Sequence, residues 1–540
     1  MTQSKLKKMK KVDFIEGTII TSISLILVKI LGMVYVIPFY KIIKEEGGAL
    51  YSYAYNIYNM FLNLSTAGIP VAVSKIISEY NSEKDYKSKE KAYKISVKII
   101  FIFSLIMFLI LFLFPDKISI LIFGKVIKNY NLNDIVKVIR VISFCLLIIP
   151  FLSVSKGYLE GHKIMKEVSI SQVIEQLVRI SIILIGSYIS VIVLKKSVVT
   201  AVCISLSGAF FGGLVSTIYL KIKIRKNKKI FEINNSENKE SENEKIILKK
   251  IISYSVPLII LSVSVDFYNM VNVALITRGS IYTNYTIYES QIISSIITTW
   301  CPKICMLITA IANSININLI PTISTLKEND DINNQINKAL SILFLISLPM
   351  MLGIILLSKE IYLFFYGNNE IGFIMLKFVS VISFLTSITL VFNAIFQGIN
   401  KYRMLYVNIL LVFLINVILI FPLMKLFYLL NLVSAVGATI ATIIAYLSII
   451  VIDYFYLKNK VDLNLSSLSL VIKKIFPALL IMSIYVFICK SILNFSNIVL
   501  IIFSVLGSII IYFYILSKNK CLFDVFGTNN IRLIYKKKLK

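Results

Sequence analysis

The sequence predicts an all-α polytopic membrane protein with fourteen transmembrane helices, arranged as two pseudo-symmetric six-helix lobes followed by two C-terminal helices. Apolar residues make up 57% of the 540-residue chain and charged residues only 16%, a balance far from that of soluble domains. Mean hydropathy is correspondingly high, at +0.84. Apolar runs of about twenty residues recur along the chain, and each is long enough to cross the hydrocarbon core as a helix.

Charged or turn-rich breaks between the apolar runs set the order of the helices. The predicted spans cover residues 14–38, 52–76, 95–115, 133–155, 168–192, 199–220, 250–275, 291–321, 336–357, 371–394, 404–424, 433–456, 471–491 and 498–516. The first span follows a basic stretch and is too long for the apolar core of a cleavable signal peptide. We therefore expect it to remain as an anchor.

Lysine and arginine residues concentrate in every second segment between the spans, starting with the N-terminal one. We expect the protein to lie in the plasma membrane. By the positive-inside rule, this pattern then places both termini in the cytoplasm. The net charge of +29 then indicates contact with anionic lipid headgroups. We expect no nucleic-acid partner, because no nucleic-acid-binding motif accompanies the basic residues.

The residues that usually build metal sites and catalytic centres are scarce. His162 is the single histidine, and the six cysteines are scattered without the spacing of a metal site or a disulfide framework. The Gly-rich phosphate loop of nucleotide-binding proteins is also missing from the sequence. From these observations we expect no catalytic residues, no metal site and no bound cofactor.

The longest polar break divides the predicted spans into two sets. We predict an N-lobe over 1–220, a basic cytoplasmic linker over 221–249, a C-lobe over 250–457, and a last region over 458–540 with two helices and a basic tail. Because six spans precede the linker, the second lobe begins on the same side as the first.

Short motifs recur in both lobes in the same order. The matching pairs are 68–74 with 319–324, 122–124 with 365–367, and 160–163 with 397–401. Parallel repeats of this kind are related by an axis along the membrane normal and typically enclose a central transport cavity. The sequence therefore predicts two lobes around a central cavity.

Lysines within the predicted spans are candidates for binding an anion. Lys29 lies in the middle of the first span with no acidic residue at helical spacing, and Gly32 is three residues further on. Lys303 follows Pro302 in the eighth span, where the proline is expected to kink the helix and free a carbonyl. A charge near the bilayer centre costs about 2.5–3.5 kcal/mol by insertion scales, so such lysines are expected to face a cavity or a partner.

The fifth span carries a polar stripe. Gln172, Glu175, Gln176 and Arg179 recur at i, i+3, i+4 and i+7 and therefore share one helix face. Glu175 and Arg179 can form an ion pair at i, i+4. Two interpretations of this stripe are open. Either its ion pair locks two helices together, or its side chains bind the substrate directly.

Further polar and flexible positions complete the candidate site. Asp266 shares a face of the seventh span with Asn269, which suggests either a hydrogen-bonded helix contact or a site for a coupling cation. Gly32, Pro70 and Pro321 are candidate hinges. Basic groups in both lobes favour a phosphate or pyrophosphate, whose outward movement is driven by the membrane potential or coupled to Na⁺ or H⁺.

Several motifs resemble a known family. Residues 29–40, 47–53 and 67–75, together with the run 171–176 followed by Arg179, resemble the YtgP and SpoVB branch of the MurJ-like flippases. These belong to the multidrug/oligosaccharidyl-lipid/polysaccharide exporter superfamily. The resemblance covers essentially the whole chain.

The resemblance implies a lipid II flippase, which carries the lipid-linked peptidoglycan precursor to the outer leaflet by alternating access. It implies that Lys29 engages the pyrophosphate, that Lys303 lies near a second such position, and that the last two helices form a groove for the lipid tail. We add Arg179 as a third candidate for binding the pyrophosphate. The expected partners are the lipid-linked oligosaccharide, anionic membrane lipids and cell-wall synthases. We expect the chain to act as a monomer.

Other functions remain open from the sequence. The alternatives are a flippase for another undecaprenyl-pyrophosphate-linked glycan, such as a capsule, teichoic or spore-cortex precursor, and a cation-coupled multidrug exporter of the same superfamily. A third is a scaffold for cell-wall enzymes that transports nothing. The chain also departs from the family pattern, because Asn272 stands where many members have an acidic residue, so the coupling ion is not carried over from the resemblance.

Overall fold

The computed structural model of the protein describes residues 27–66, 68–123, 132–162, 164–226, 241–326, 328–399, 401–492 and 497–526. Within these ranges the secondary structure is helical throughout and contains no strand, as the sequence predicts. The helices of the first half of the chain are α1 (27–34), α2 (Val36–Thr66), α3 (Ile69–Ser82), α4 (Tyr86–Leu113), α5 (Pro115–Phe123), α6 (Leu132–Ser143), α7 (Ile149–Gly161), α8 (Met165–Tyr188) and α9 (Val198–Lys226). Those of the second half are α10 (Glu244–Tyr282), α11 (Ile287–Ser295), α12 (Cys301–Thr325), α13 (Asn329–Leu356), α14 (Ser358–Tyr366), α15 (Glu370–Gly398), α16 (Tyr402–Leu429), α17 (Ser434–Val461), α18 (Ser466–Ile492), α19 (Asn497–Lys518) and α20 (Cys521–Phe526).

Twelve helical segments in these described ranges are long and apolar enough to cross a membrane. They run from Tyr86–Leu113 to Asn497–Lys518 and match the third to fourteenth predicted spans in order. The predicted first span, 14–38, lies largely outside the described residues, which begin at 27. The total of fourteen spans therefore stays a prediction.

The second span differs from its predicted bounds of 52–76. Lys44 has non-helical angles (φ 57°, ψ −174°) inside α2, so the second helix begins directly after it. The chain breaks again before α3, where Gly68 adopts φ 79° and Pro70 lies in the first helical turn. A proline fits there because the N–H groups of the first helical turn make no hydrogen bond within the helix, so the N–H that proline lacks is not needed. Hydropathy does not reveal this break, because the residues around it are apolar.

Each half of the chain contains the same succession of a long and a short helix. α4 and α13 have 28 residues each, and the helices that follow them, α5 and α14, have nine each. This agrees with the internal repeat read from the sequence. The landmark at Pro321 differs from that at Pro70, because α12 continues unbroken through it to Thr325.

Glycines bring equivalent helices into close contact in both halves. A Cβ atom on Gly157 of α7 would lie 2.4 Å from the Pro70 carbonyl oxygen of α3, and one on Gly161 would lie 2.7 Å from the Ser74 carbonyl oxygen. In the other half, a Cβ atom on Gly398 of α15 would lie 2.7 Å from Ile323 of α12. Small residues at helix interfaces allow such close packing in membranes.

The contact pattern divides the chain into two compact units. The first comprises Met1–Ala274 and Thr286–Ser295, and the second comprises Leu275–Tyr285 and Ile296–Lys540. The predicted boundaries at 220, 250 and 457 stay predictions. The core of the first unit joins α3, α4, α7, α8 and α9 through the buried residues Ile69, Val73, Ile77, Ile100, Leu152, Leu159, Val168 and Leu220.

The two C-terminal spans pack against α13 within the second unit. The Tyr512 hydroxyl of α19 donates a hydrogen bond of 2.8 Å to the Leu345 carbonyl of α13. Lys490 of α18 forms an ion pair of 2.9 Å with Glu360 of α14. Apolar side chains of α18, α19 and α20 form a buried cluster with Leu345 of α13.

The end of the predicted linker is attached to the first unit. The Glu242 carboxylate accepts hydrogen bonds from the Tyr80 hydroxyl and from Lys250 Nζ at 3.0 Å. The backbone N–H of Glu242 donates to Ser88 Oγ at 2.7 Å. Burial alone would raise the pKa of the Glu242 carboxyl, but the hydrogen bonds from Tyr80 and Lys250 outweigh it and lower the pKa below its usual value.

We expect the Glu242 contacts to stabilise the protein at neutral pH and to be lost in acid. Because the folded-state pKa is lowered, their stabilisation is complete above the ordinary carboxyl pKa and disappears as the pH falls through the folded value. Glu242→Gln should therefore lower the thermal midpoint of the purified protein at pH 7, with a smaller difference from the wild type at pH 4. Glu244→Gln is the matched control, because Glu244 is 72% exposed and 3.8 Å from Lys91, and such surface pairs contribute little. Equal effects of the two variants would contradict the prediction.

Candidate functional site

The polar stripe of the fifth span lies on α8, within the first unit. Glu175 Oε1 accepts a hydrogen bond of 2.9 Å from Arg179 Nη2, at the i, i+4 spacing predicted from the sequence. Its other oxygen, Oε2, accepts one of 3.0 Å from Lys156 Nζ of α7. The three side chains are only 16–19% exposed. We call Lys156, Glu175 and Arg179 the ion triad.

Lys156 is a member of this site that the sequence alone does not predict. The predicted fourth span ends at residue 155, so the sequence places Lys156 in the cytoplasmic segment that follows it. The structure extends α7 to Gly161 and directs Lys156 to the carboxylate of Glu175. With two cations and one anion, the triad carries a net charge of +1 at neutral pH.

Glycines on α9 hold the backbone of α8 close behind the ion triad. A Cβ atom on Gly212 would lie 2.7 Å from the Glu175 carbonyl oxygen, and one on Gly208 would lie 2.9 Å from the Arg179 carbonyl oxygen. No larger residue fits at these crossings without moving backbone. The tight contact therefore fixes the helix that carries Glu175 and Arg179.

Three tyrosines of α2 lie near Arg179. Tyr51, Tyr55 and Tyr58 are near enough to interact with it electrostatically, and the rings of Tyr51 and Tyr55 stack at 5.8 Å with an interplanar angle of 9°. These tyrosines were not predicted as site residues, although their i, i+4, i+7 spacing places them on one helix face. They add aromatic rings with polar hydroxyl groups to the neighbourhood of Arg179.

Two polar atoms of the stripe have no hydrogen-bond partner among the described residues. They are Arg179 Nε, a donor, and Gln172 Oε1, an acceptor, and both are buried. Buried polar atoms are nearly always hydrogen-bonded, so an unpartnered pair on one helix face is consistent with a place for a ligand or water. Gln176 lies on the same helix and is half-buried.

Lys29 lies on α1 and is half-buried, as is Gly32 one turn later. Within the described ranges, no hydrogen bond or ion pair to the Lys29 ammonium occurs. The role of Lys29 in binding an anion stays a prediction.

Lys303 lies in the second unit, in the first turn of α12, and is half-buried. The expected irregularity at Pro302 takes the form of a π-helical turn, Ile296–Trp300, directly before it. A local π-turn is one of the adjustments that satisfy the backbone groups freed by a proline within a span. Lys29 and Lys303 fall in different units, and their meeting in one cavity stays a prediction.

Asp266 of α10 accepts a hydrogen bond of 2.6 Å from Asn63 Nδ2 of α2. This contact joins two helices of the first unit. Asn269, predicted as its neighbour, is exposed.

The candidate hinges lie at different places in the helices. Pro70 is packed against Gly157 at the start of α3, and Pro321 lies within α12. Hinge motion at either proline, or at Gly32, stays a prediction.

Metal-binding clusters of three or more His, Cys, Asp or Glu side chains do not occur in the described ranges. All six cysteines are free, and five of them are buried.

Comparison with known proteins identifies the family. A profile described as "Polysaccharide biosynthesis protein" matches residues 14–327. The chain is 32% identical over 456 residues to the lipid II flippase MurJ of Bacillus subtilis (strain 168). This alignment covers 82% of each chain. It is 30% identical over 251 residues to the stage V sporulation protein B of the same organism, which covers 46% of each.

Solved structures show the same fold. A lipid II flippase MurJ in an inward closed conformation superposes with a TM-score of 0.63 at 18% identity, covering 92% of this chain and 98% of the other. An inward-facing multidrug resistance transporter of the MATE family in the MOP superfamily gives 0.60 at 15% identity, covering 81% and 94%. The twelve apolar helices and these relatives make the chain a multi-pass membrane protein. It belongs to the polysaccharide biosynthesis protein family.

Proposed function

We propose that this protein is a lipid II flippase, which moves the lipid-linked peptidoglycan precursor from the cytoplasmic to the outer leaflet by alternating access. The observation that carries the proposal is the similarity to MurJ of Bacillus subtilis over 82% of both chains. The protein then acts as a transporter and does not change its substrate chemically.

The charges of the first unit suit such a substrate. The pyrophosphate is the fixed anionic part of a lipid-linked precursor, and the ion triad offers a net positive charge at partly buried side chains. Guanidinium groups bind phosphate oxygens in a bidentate geometry, and Arg179 has a buried Nε without a hydrogen-bond partner in the described part of the chain. Lys29 and Lys303 complete the proposed set of cations.

The membrane potential supplies a driving force for the proposed step. Moving one elementary charge across 100 mV changes the free energy by about 2.3 kcal/mol, so two negative charges moving out of a negative interior gain about 4.6 kcal/mol. We propose a plasma-membrane location with both termini in the cytoplasm, which orients the transport outward. Anionic lipids and cell-wall synthases are the proposed partners, and a monomer the proposed active form.

The proposal is tested by complementation. A host is depleted of its own lipid II flippase, this chain is expressed, and outward exposure of labelled precursor is measured. We expect rescue with lipid II and no increased exposure of a labelled capsule precursor. Rescue of the capsule precursor alone would contradict the proposal, as would normal membrane levels without any rescue.

Lys29→Ala should slow this transport by about tenfold or more, because a hydrogen bond to a charged group contributes about 1.5–3 kcal/mol. Lys29→Arg should retain much of the rate, since it keeps the charge. Lys377→Ala is the matched control, because Lys377 also lies within a predicted span but is exposed on α15. Equal rates for Lys29→Ala and Lys377→Ala at equal membrane levels would show that Lys29 does not engage the substrate.

A further inference from the structure

A cavity of about 610 Å³ lies where three apolar spans of the second unit begin or end. Its lining residues come from α13, α18 and α20. The spans Asn329–Leu356 and Ser466–Ser491 begin here, and α20 follows the end of the span Asn497–Lys518. The cavity therefore lies where the surface of a bilayer is expected, and its volume is within the usual range of small-ligand sites, about 300–1,000 Å³.

Hydrogen bonds and an ion pair fix the walls of this cavity. Asn337 Nδ2 of α13 donates to the carbonyl of Asn464, just before α18, at 2.7 Å. Asn337 Oδ1 accepts a hydrogen bond of 3.3 Å from the backbone N–H of Leu468 in the first turn of α18. Lys474 of α18 and Asp524 of α20 form an ion pair of 2.5 Å. Contacts within the protein thus hold the three helices around the cavity.

The cavity has an excess of positive charge. Lys338 and Lys474 line it together with one acidic residue, Asp524, which gives a net charge of +1 at neutral pH. Asp524 pairs with Lys474, whereas the ammonium of Lys338 forms no ion pair or hydrogen bond within the described ranges. The charge of Lys338 is therefore available to an anion in the cavity.

Neutral hydrogen-bond donors line the same cavity. Ser341 is 4% exposed, and its hydroxyl makes no hydrogen bond to another residue in the described part of the chain. Asn334 and Ser467 are exposed and add a carboxamide and a second hydroxyl. Hydroxyl and amide groups donate to phosphate oxygens, and lysine is a common phosphate ligand. The cavity thus offers an ammonium group and several donors to one phosphate.

Apolar side chains line the rest of the cavity and continue along α18. Leu470 lines the cavity and is 60% exposed. Ile481 and Ile484 lie on the same face of α18 and are 46% and 58% exposed. An acyl chain can cover this apolar row while its headgroup occupies the cavity, whereas a soluble phosphate leaves the row uncovered. The surroundings therefore favour an amphiphile with an anionic head.

We propose that this cavity binds the phosphodiester headgroup of an anionic phospholipid of the surrounding bilayer, with Lys338 contacting the phosphate. This gives a site to the anionic lipids proposed above as partners, and it concerns a resident lipid and not the transported precursor. Failure of this proposal would leave the flippase function intact, because the binding test below does not involve transport.

The test uses the purified full-length protein in mixed micelles of detergent and phospholipid. Its thermal midpoint is measured as phosphatidylglycerol replaces phosphatidylcholine at constant total lipid. A ligand that binds only the folded state raises the midpoint, so we expect a rise in the wild type. In Lys338→Gln, the half-maximal content of phosphatidylglycerol should increase by about fivefold, since one lysine near the surface contributes this much to binding anionic lipid.

Two variants and a soluble probe make the result specific. Lys473→Gln removes the same charge from an exposed residue of α18 that does not line the cavity, and it should respond to phosphatidylglycerol as the wild type does. Ser467→Phe places a ring at the exposed start of α18 without changing the charge, and it should weaken the response by blocking the cavity. Glycerophosphoglycerol, which is the same headgroup without acyl chains, should not raise the midpoint.

Four results would overturn the proposal. They are equal responses of the wild type to the two lipids, a normal response in Lys338→Gln, a normal response in Ser467→Phe, and equal losses in Lys338→Gln and Lys473→Gln, which would indicate general surface charge. A rise with glycerophosphoglycerol equal to that with the lipid would also overturn it, since that result identifies a site for soluble phosphates.

Discussion

Glu175→Gln is expected to destabilise the protein by about 3 kcal/mol and to abolish transport. The substitution keeps the shape of the side chain but leaves the cations of Lys156 and Arg179, 3.0 and 2.9 Å from its oxygens, without an anion between them. An unpaired charge at membrane depth costs about 2.5–3.5 kcal/mol by insertion scales. Thermal unfolding in detergent and outward exposure of labelled lipid II measure the two effects.

A double variant separates the structural role of Arg179 from a role in binding. Glu175→Gln with Arg179→Gln leaves Lys156 alone, so the net charge of the ion triad stays at +1. We expect most of the lost stability to return, because neighbouring residues of one network are not additive. Transport should stay low if the guanidinium contacts the pyrophosphate. Normal transport by the double variant would show that Arg179 holds the helices together and does not bind the substrate.

Gly157→Ala is expected to destabilise the first unit and to lower the amount of protein in the membrane. The new Cβ atom would meet the Pro70 carbonyl oxygen at 2.4 Å and the Pro70 Cα atom at 2.9 Å, and backbone atoms cannot rotate away. Forcing extra volume into a packed contact costs about 1–3 kcal/mol. The thermal midpoint and the monodisperse yield after extraction measure the effect.

Gly353→Ala provides the matched control for this prediction. It makes the same chemical change in the last turn of α13, where nothing lies within 4 Å of the added Cβ atom. Alanine is favoured over glycine in a helix by about 0.5–1 kcal/mol, so this variant should be at least as stable as the wild type. If both variants raise the midpoint, the α3–α7 contact is looser than the structure indicates.

Hydropathy predicted the membrane-spanning helices well because a spanning helix requires only a long apolar run, which is a local property of the sequence. Each described span from the third to the fourteenth needs only a sufficiently long apolar run, and a single sequence contains that information. The break at Gly68 and Pro70 was less visible, because it depends on a positive φ angle and a missing N–H within an apolar stretch. The Gly-Ile-Pro motif carries this signal, although a hydropathy window averages it away.

The candidate site was predictable only where its partners lie on one helix. The Glu175–Arg179 pair follows from i, i+4 spacing, whereas the contacts of Glu175 with Lys156 and of Asp266 with Asn63 depend on which helices pack together.

The burial of the cysteines has a practical consequence for mapping the topology of the chain. Five of the six thiols are buried, and Cys203 is the one that is half-buried. A membrane-impermeant maleimide would therefore meet little background reactivity in the native sequence once Cys203 is replaced by serine. New cysteines placed one at a time in the loops could then report on which side of the bilayer each loop lies, without rebuilding the buried contacts of the other five.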